Sequence, residues 1–155
     1  KKLCVLLLCV YATVTYAQIG IGTTSPTSTL DVRGSLALNS RSFTSSTTAA
    51  STDNTLLFTG TTASTVTLPD ATACAGRVYS IKNASGTTPL PVLTVATTSS
   101  QTIDGSSSWL LTNSKSVLTV ISDGSNWNVT NSGLVKGRNN FVLVQSTADL
   151  PAPVA

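Results

Sequence analysis

Beyond residue 17 the chain has no stretch in which apolar residues recur at i, i+3, i+4 and i+7, so no amphipathic helix of useful length can form there. What recurs instead is a short β-prone run closed by turn residues, returning every 8 to 15 residues. STVTLPD sets Val66 and Leu68 against Thr65 and Thr67, the period-2 pattern of a half-buried strand. GRVYSIKN does the same, with Val78 and Ser80 on one face and Tyr79 and Ile81 on the other, and Asn83-Ala84-Ser85-Gly86 is read as the turn that follows. Pro89 and Pro91 fix an extended entry to the next run and keep those two residues out of a central ladder. Asp104-Gly105 and Asp123-Gly124 are the dipeptides of tight β-turns. The chain is therefore expected to be all-β: short antiparallel strands in a small sandwich, jelly-roll-like or prism module.

The material for a core is limited. Of 155 residues 41% are hydrophobic, but a dense block of these lies at residues 3–17, and the remainder holds few aromatics among many Ser and Thr. A small core leaves stability marginal unless other surface is buried, and self-association is the simplest source of such surface. Four segments are expected: an apolar leader at 1–18, an extended collar or linker at 19–50, a β module at 51–131, and a strand with a junction at 132–155. Within the second, the polar run TSSTTAA at 44–50 reads as a loop. Within the fourth, residues 141–144 read as a strand, and the open ending DLPAPVA reads as continuing into a further C-terminal region.

The leader joins Lys1 and Lys2 to an apolar run containing Leu3, Val5, Leu6, Leu7, Leu8 and Val10, and ends at Thr15-Tyr16-Ala17. This is the layout of a secretory signal peptide. Retained instead as a helix, about 15 residues would span roughly 22 Å, short for the ~30 Å core of a bilayer. A peg buried in a larger assembly fits that length, and the alternating residues 10–16 would also suit a strand. Cleaved leader and retained anchor both stay open.

Chemistry-bearing residues are scarce. There is no His, so a triad has no central base. The three Cys are Cys4 and Cys9 in the leader and the solitary Cys74, which supply neither a disulfide framework nor a metal cluster. Cys74 reads as a small buried hydrophobe. Only Asp104 and Asp123 invite comparison with a glycosidase pair, and the Gly after each explains them as turn residues. Gly20-Ile21-Gly22 lacks the third glycine and the helix of a dinucleotide loop, and reads as a site of close packing or bending. Nine basic residues against six Asp give a formal charge of +3 without a basic stripe, which argues against nucleic acid as a partner. Asn83 and Asn128 each head a glycosylation sequon, a pattern common by chance. Trp109 and Trp127 are the largest apolar surfaces, suited to core or inter-subunit packing or to stacking on a receptor sugar. No catalytic residue, cofactor or metal is expected.

Taken together, three stretches carry a resemblance: IGIGTTSPTSTLDVRGSL at 19–36; TVTLPDATACAGRVYSIKNASG with TIDGSSSWLL and VISDGSNWNV; and FVLVQSTADLPAP. They resemble phage tail-fibre and head-fibre (spike) proteins of Bacteroidetes viruses, and the first also resembles the opening of secreted Bacteroidetes surface proteins. The resemblance implies a homotrimeric fibre or spike on a virion, not an enzyme, that attaches to a glycan or protein of a bacterial surface. Its other partners would be virion proteins at a capsid vertex, a tail or an internal membrane. A phage fibre assembled in the cytoplasm needs no export signal, so the leader fits a virion that contains a membrane or an N-terminus plugged into a vertex. The alternative is a secreted bacterial adhesin-like protein whose leader is removed.

Overall fold

The computed structural model describes residues 18–133, and these form two separate units divided after Leu38. The anchor residues Leu3, Val5, Leu6, Leu7, Leu8 and Val10 and the strand expected at 141–144 lie outside the described residues.

The first unit is a two-stranded parallel ribbon of β1 (Ile19–Ile21) and β2 (Leu30–Val32), with Ile19 opposite Leu30 and Ile21 opposite Val32. Gly22 turns the chain out of β1 at φ +73°, where an added Cβ would sit 2.7 Å from the Arg33 carbonyl oxygen. The Asp31 carboxylate closes the loop by accepting from the Thr27 amide at 2.9 Å and from its hydroxyl at 3.1 Å. None of the described residues of this unit is buried, and Ile19, Ile21, Leu30, Leu36 and Leu38 are all more than half exposed.

The second unit contains the remaining strands: β3 (Ser40–Phe43), β4 (Thr47–Thr48), β5 (Thr55–Phe58), β6 (Ser64–Thr67), β7 (Val78–Asn83), β8 (Leu93–Ala96), β9 (Ser108–Leu111), β10 (Val117–Ser122) and β11 (Trp127–Asn131). One turn of 3-10 helix at Ala71–Ala73 interrupts them, capped by the Asp70 carboxylate. The first six strands alternate between two sheets. Strands β3, β5 and β7 pair in parallel in one, and β4, β6 and β8 pair in parallel in the other. The chain thus winds through three stacked coils, each donating one strand to each sheet. It then reverses. Strand β9 adds antiparallel to β8, and β10 adds antiparallel to β7 with β11 outside it. The final orders are β11-β10-β7-β5-β3 and β4-β6-β8-β9.

The all-β expectation holds, and antiparallel pairing is confined to the C-terminal half of the module. The parallel half follows from the winding: two successive strands of one sheet are separated by a strand of the other, so both run the same way. The polar run at 44–50 is a structural part of the first coil. It contains β4, its Ala49 is buried, and the Ala49 amide donates to the Thr67 carbonyl at 2.9 Å. The β module accordingly begins at Asn39, ahead of residue 51 where the sequence reading placed it.

Register aligns the inward side chains into rows across each sheet. Leu56, Ile81 and Leu118 form one, and Val66, Val95 and Trp109 form another on the facing sheet. The two sheets enclose a single core in which Phe58, Tyr79, Leu93, Val120 and Trp127 are fully buried. Aromatic pairs brace it: Phe43 with Phe58 at 5.4 Å between centroids and Tyr79 with Trp127 at 5.6 Å, both tilted. The row of leucines and isoleucine ends, on the edge strand β3, at Arg41, and the facing row ends on β4 at Thr47. Arg41 forms an ion pair with Asp53, with Nη2 2.7 Å from Oδ2, and also donates to the Thr48 carbonyl and the Thr47 hydroxyl. This polar lid closes the N-terminal end of the core.

Candidate functional site

The other end of the facing row is finished differently. Among the described residues strand β9 is the last of its sheet, and Trp109, opposite Val95, stands on the inner face of that edge strand. The indole packs against the core on one side and remains partly exposed on the other. Past Leu111 the chain turns through residues 112–116 into β10. Lys115 takes φ +62° there, and the Ser116 hydroxyl donates to the Asn113 carbonyl at 2.7 Å. After β11 the chain returns to the same corner, where the Val117 amide donates to the Gly133 carbonyl at 3.0 Å.

These three passages enclose a cleft of about 200 Å³ whose walls include Trp109, Thr112, Asn113, Val117 and Ser132. None of the residues lining it is ionisable. The Trp109 Nε1–H, the Asn113 carboxamide and the Thr112 and Ser132 hydroxyls make no hydrogen bond to another described residue, whereas the Trp127 Nε1–H donates to the Pro69 carbonyl at 3.3 Å. The cleft therefore combines an apolar ring with neutral donors and acceptors that have no partner among the described residues. On the opposite face of β9, Leu110 is exposed.

The remaining sequence candidates are scattered. Trp127 is fully buried beneath Tyr79 and serves packing; of the two tryptophans, only Trp109 offers surface. Asp104 and Gly105 occupy a two-residue turn at φ +47° and +82°, and the Asp104 carboxylate accepts from the Val129 amide at 2.9 Å. Asp123 accepts from the amides of Asn126 at 2.7 Å and Ser125 at 2.8 Å and from the Asn128 side chain at 2.9 Å. These bonds, the Asn126 amide first, hold its carboxyl below the usual carboxylate range, the opposite of what a general acid requires. Cys74 is half-buried against the core, its thiol directed at the Asp70 carbonyl at 3.3 Å. Among the described residues no group of three His, Cys, Asp or Glu gathers to hold a metal ion.

Two placements escaped the sequence reading. Asn83, read as a turn residue, ends β7 fully buried and donates to the carbonyls of Pro91 at 2.9 Å and Leu111 at 3.0 Å, tying the two sheets together. Its burial also removes it as a glycan acceptor in the folded protein, while Asn128 remains exposed. Gln101 is the second: its side chain accepts from the Ala71 amide at 2.9 Å and donates to Asp70 at 2.6 Å. The alternation Tyr79, Ile81, Asn83 carried a signal for the first; nothing local marked the second.

Against known proteins, the chain matches no family model and no curated sequence.

Proposed function

We propose that this protein is a structural subunit of a virion fibre or spike that assembles as a homotrimer through residues 19–38 and attaches the particle to a bacterial surface. In this reading the apolar leader, with Leu3, Val5, Leu6, Leu7, Leu8 and Val10, fixes the subunit to a capsid vertex, a tail or an internal membrane. The observation that carries it is the ribbon. Five of the six exposed large hydrophobics among the described residues fall in this two-stranded unit, none of whose described residues is buried. A lone two-stranded ribbon is marginal in water, and identical ribbons packed side by side would bury those side chains. The module that follows has the opposite character, an enclosed core under a Ser/Thr-rich surface. Three copies would present three equivalent attachment faces, raising apparent affinity on the order of a hundredfold when the geometry permits.

Sedimentation equilibrium of the full chain tests the assembly. A trimer is expected across the micromolar range, and a folded monomer overturns the reading. Binding of the purified protein to bacterial cells tests attachment, with retention on cells expected and its absence from every strain of the host range counting against it.

A further inference from the structure

The polar lid of Arg41, Thr47 and Asp53 finishes one end of the core rows with groups that satisfy one another. At the C-terminal end the row finishes instead on a partly open indole, surrounded by polar side chains that make no hydrogen bond to another described residue. Placing an aromatic ring at a mouth exposes apolar surface that a polar residue would have spared. The lining has no charge, so anionic and cationic ligands find no partner. A neutral ligand with a flat apolar face and a rim of hydroxyls matches both halves of the wall.

We propose that the cleft at the β9 edge is a subsite for one neutral pyranose residue of a surface glycan. Its C–H face stacks on Trp109, and its hydroxyls exchange hydrogen bonds with the Asn113 carboxamide and the Thr112 and Ser132 hydroxyls. The cleft volume suits a single ring, so a longer glycan lies with one residue inserted and the rest outside. The inference rests on the attachment reading above and names the class of receptor. An extended peptide adding to the outer edge of β9 would fill the same corner, but it would satisfy backbone groups and leave the side-chain donors unused.

The test uses the full chain labelled with 5-fluorotryptophan, which gives one 19F resonance for Trp109 and one for Trp127. Titration with maltohexaose, cellohexaose, laminarihexaose, chitohexaose and mannohexaose is expected to shift the Trp109 resonance saturably with at least one of them, leaving Trp127 in place. Asn113→Ala and Ser132→Ala, both at exposed positions, should weaken that binding about tenfold each without altering the fold, and Trp109→Phe should weaken it further. The proposal is overturned if no saccharide moves the Trp109 signal, if the shift survives both alanine variants, or if the peptide Thr-Val-Thr-Val-Thr moves it while saccharides do not. Those failures leave the sedimentation result untouched. A monomer that still binds a saccharide at Trp109 would instead overturn the assembly and spare the subsite.

Discussion

Arg41 occupies a place where the register calls for a hydrophobe, in line with Leu56, Ile81 and Leu118. A charge pointing inward from an edge strand discourages another strand from adding there. Its cost is met by Asp53, only 2% exposed, which also accepts from the Ala50 amide at 2.9 Å. Arg41→Ala leaves that carboxylate buried without its main partner, and urea denaturation at neutral pH should show a loss of roughly 2 to 3 kcal/mol. The hydrogen bond from Arg41 holds the Asp53 carboxyl below its ordinary range. A depressed carboxyl stabilises the fold fully above its unfolded pKa and loses that contribution as pH falls through the folded one. Stability should therefore decline below about pH 4, and Asp53→Asn should be less stable at neutrality with a flatter acid limb. Ser99 and Ser100 make a separate case. Both take left-handed backbone, φ +56° and +60°, in a turn where the Gln101 amide donates to the Thr98 carbonyl at 3.0 Å. Asn-Gly is the pair such turns favour, and Ser99→Asn with Ser100→Gly should add about 1 kcal/mol, read as a rise in melting temperature. These details were only partly legible. The alternation put Tyr79 and Ile81 on one face, but Asn83 was read as the start of a turn, and a chain of letters does not show that two carbonyls wait for its amide.

At the level of elements, the strands themselves were readable and their partners were not. Period-2 patterning is the same in parallel and antiparallel pairs, so STVTLPD and GRVYSIKN announced β6 and β7 without saying that they lie in different sheets. A usable signal did exist. Both Asp-Gly dipeptides fall after residue 100, in the antiparallel half, and no such hairpin signal occurs between β3 and β8. The sequence reading also missed β4, because Thr-Thr in a polar run has no apolar pattern and owes its strand to pairing with β6 and to the buried Ala49 behind it. Coil winding depends on close corners. At Gly60, between β5 and β6, an added Cβ would clash with the Thr44 carbonyl oxygen and lie 2.6 Å from the Phe58 ring. Gly60→Ala should cost roughly 2 kcal/mol or more, measured by chemical denaturation, because backbone from the coil beneath has no room to withdraw.

The described residues divide between a ribbon in which none is buried and a module with a core. The proposed assembly predicts that Ile19→Ser, Ile21→Ser and Leu30→Ser combined will convert the trimer to monomer in sedimentation while the module keeps its far-ultraviolet circular dichroism. Retained trimer in that variant would move the interface elsewhere. The start of the module was blurred at 39–50, where Ser and Thr serve as both linker and strand. Composition could not reveal the stacked coils, since a coil is defined by contacts between residues 15 or more apart, such as Ser40 with Thr55. That stacking has an evolutionary consequence. Because successive turns of the winding pair strand to strand in parallel, a whole extra turn inserted between the β5–β6 coil and the β7–β8 coil would enlarge the module while Arg41, Thr47 and Asp53 kept their contacts at one end and Trp109 its place at the other. The size of the module could thus vary from one variant to another without redesign of what lies at either extremity.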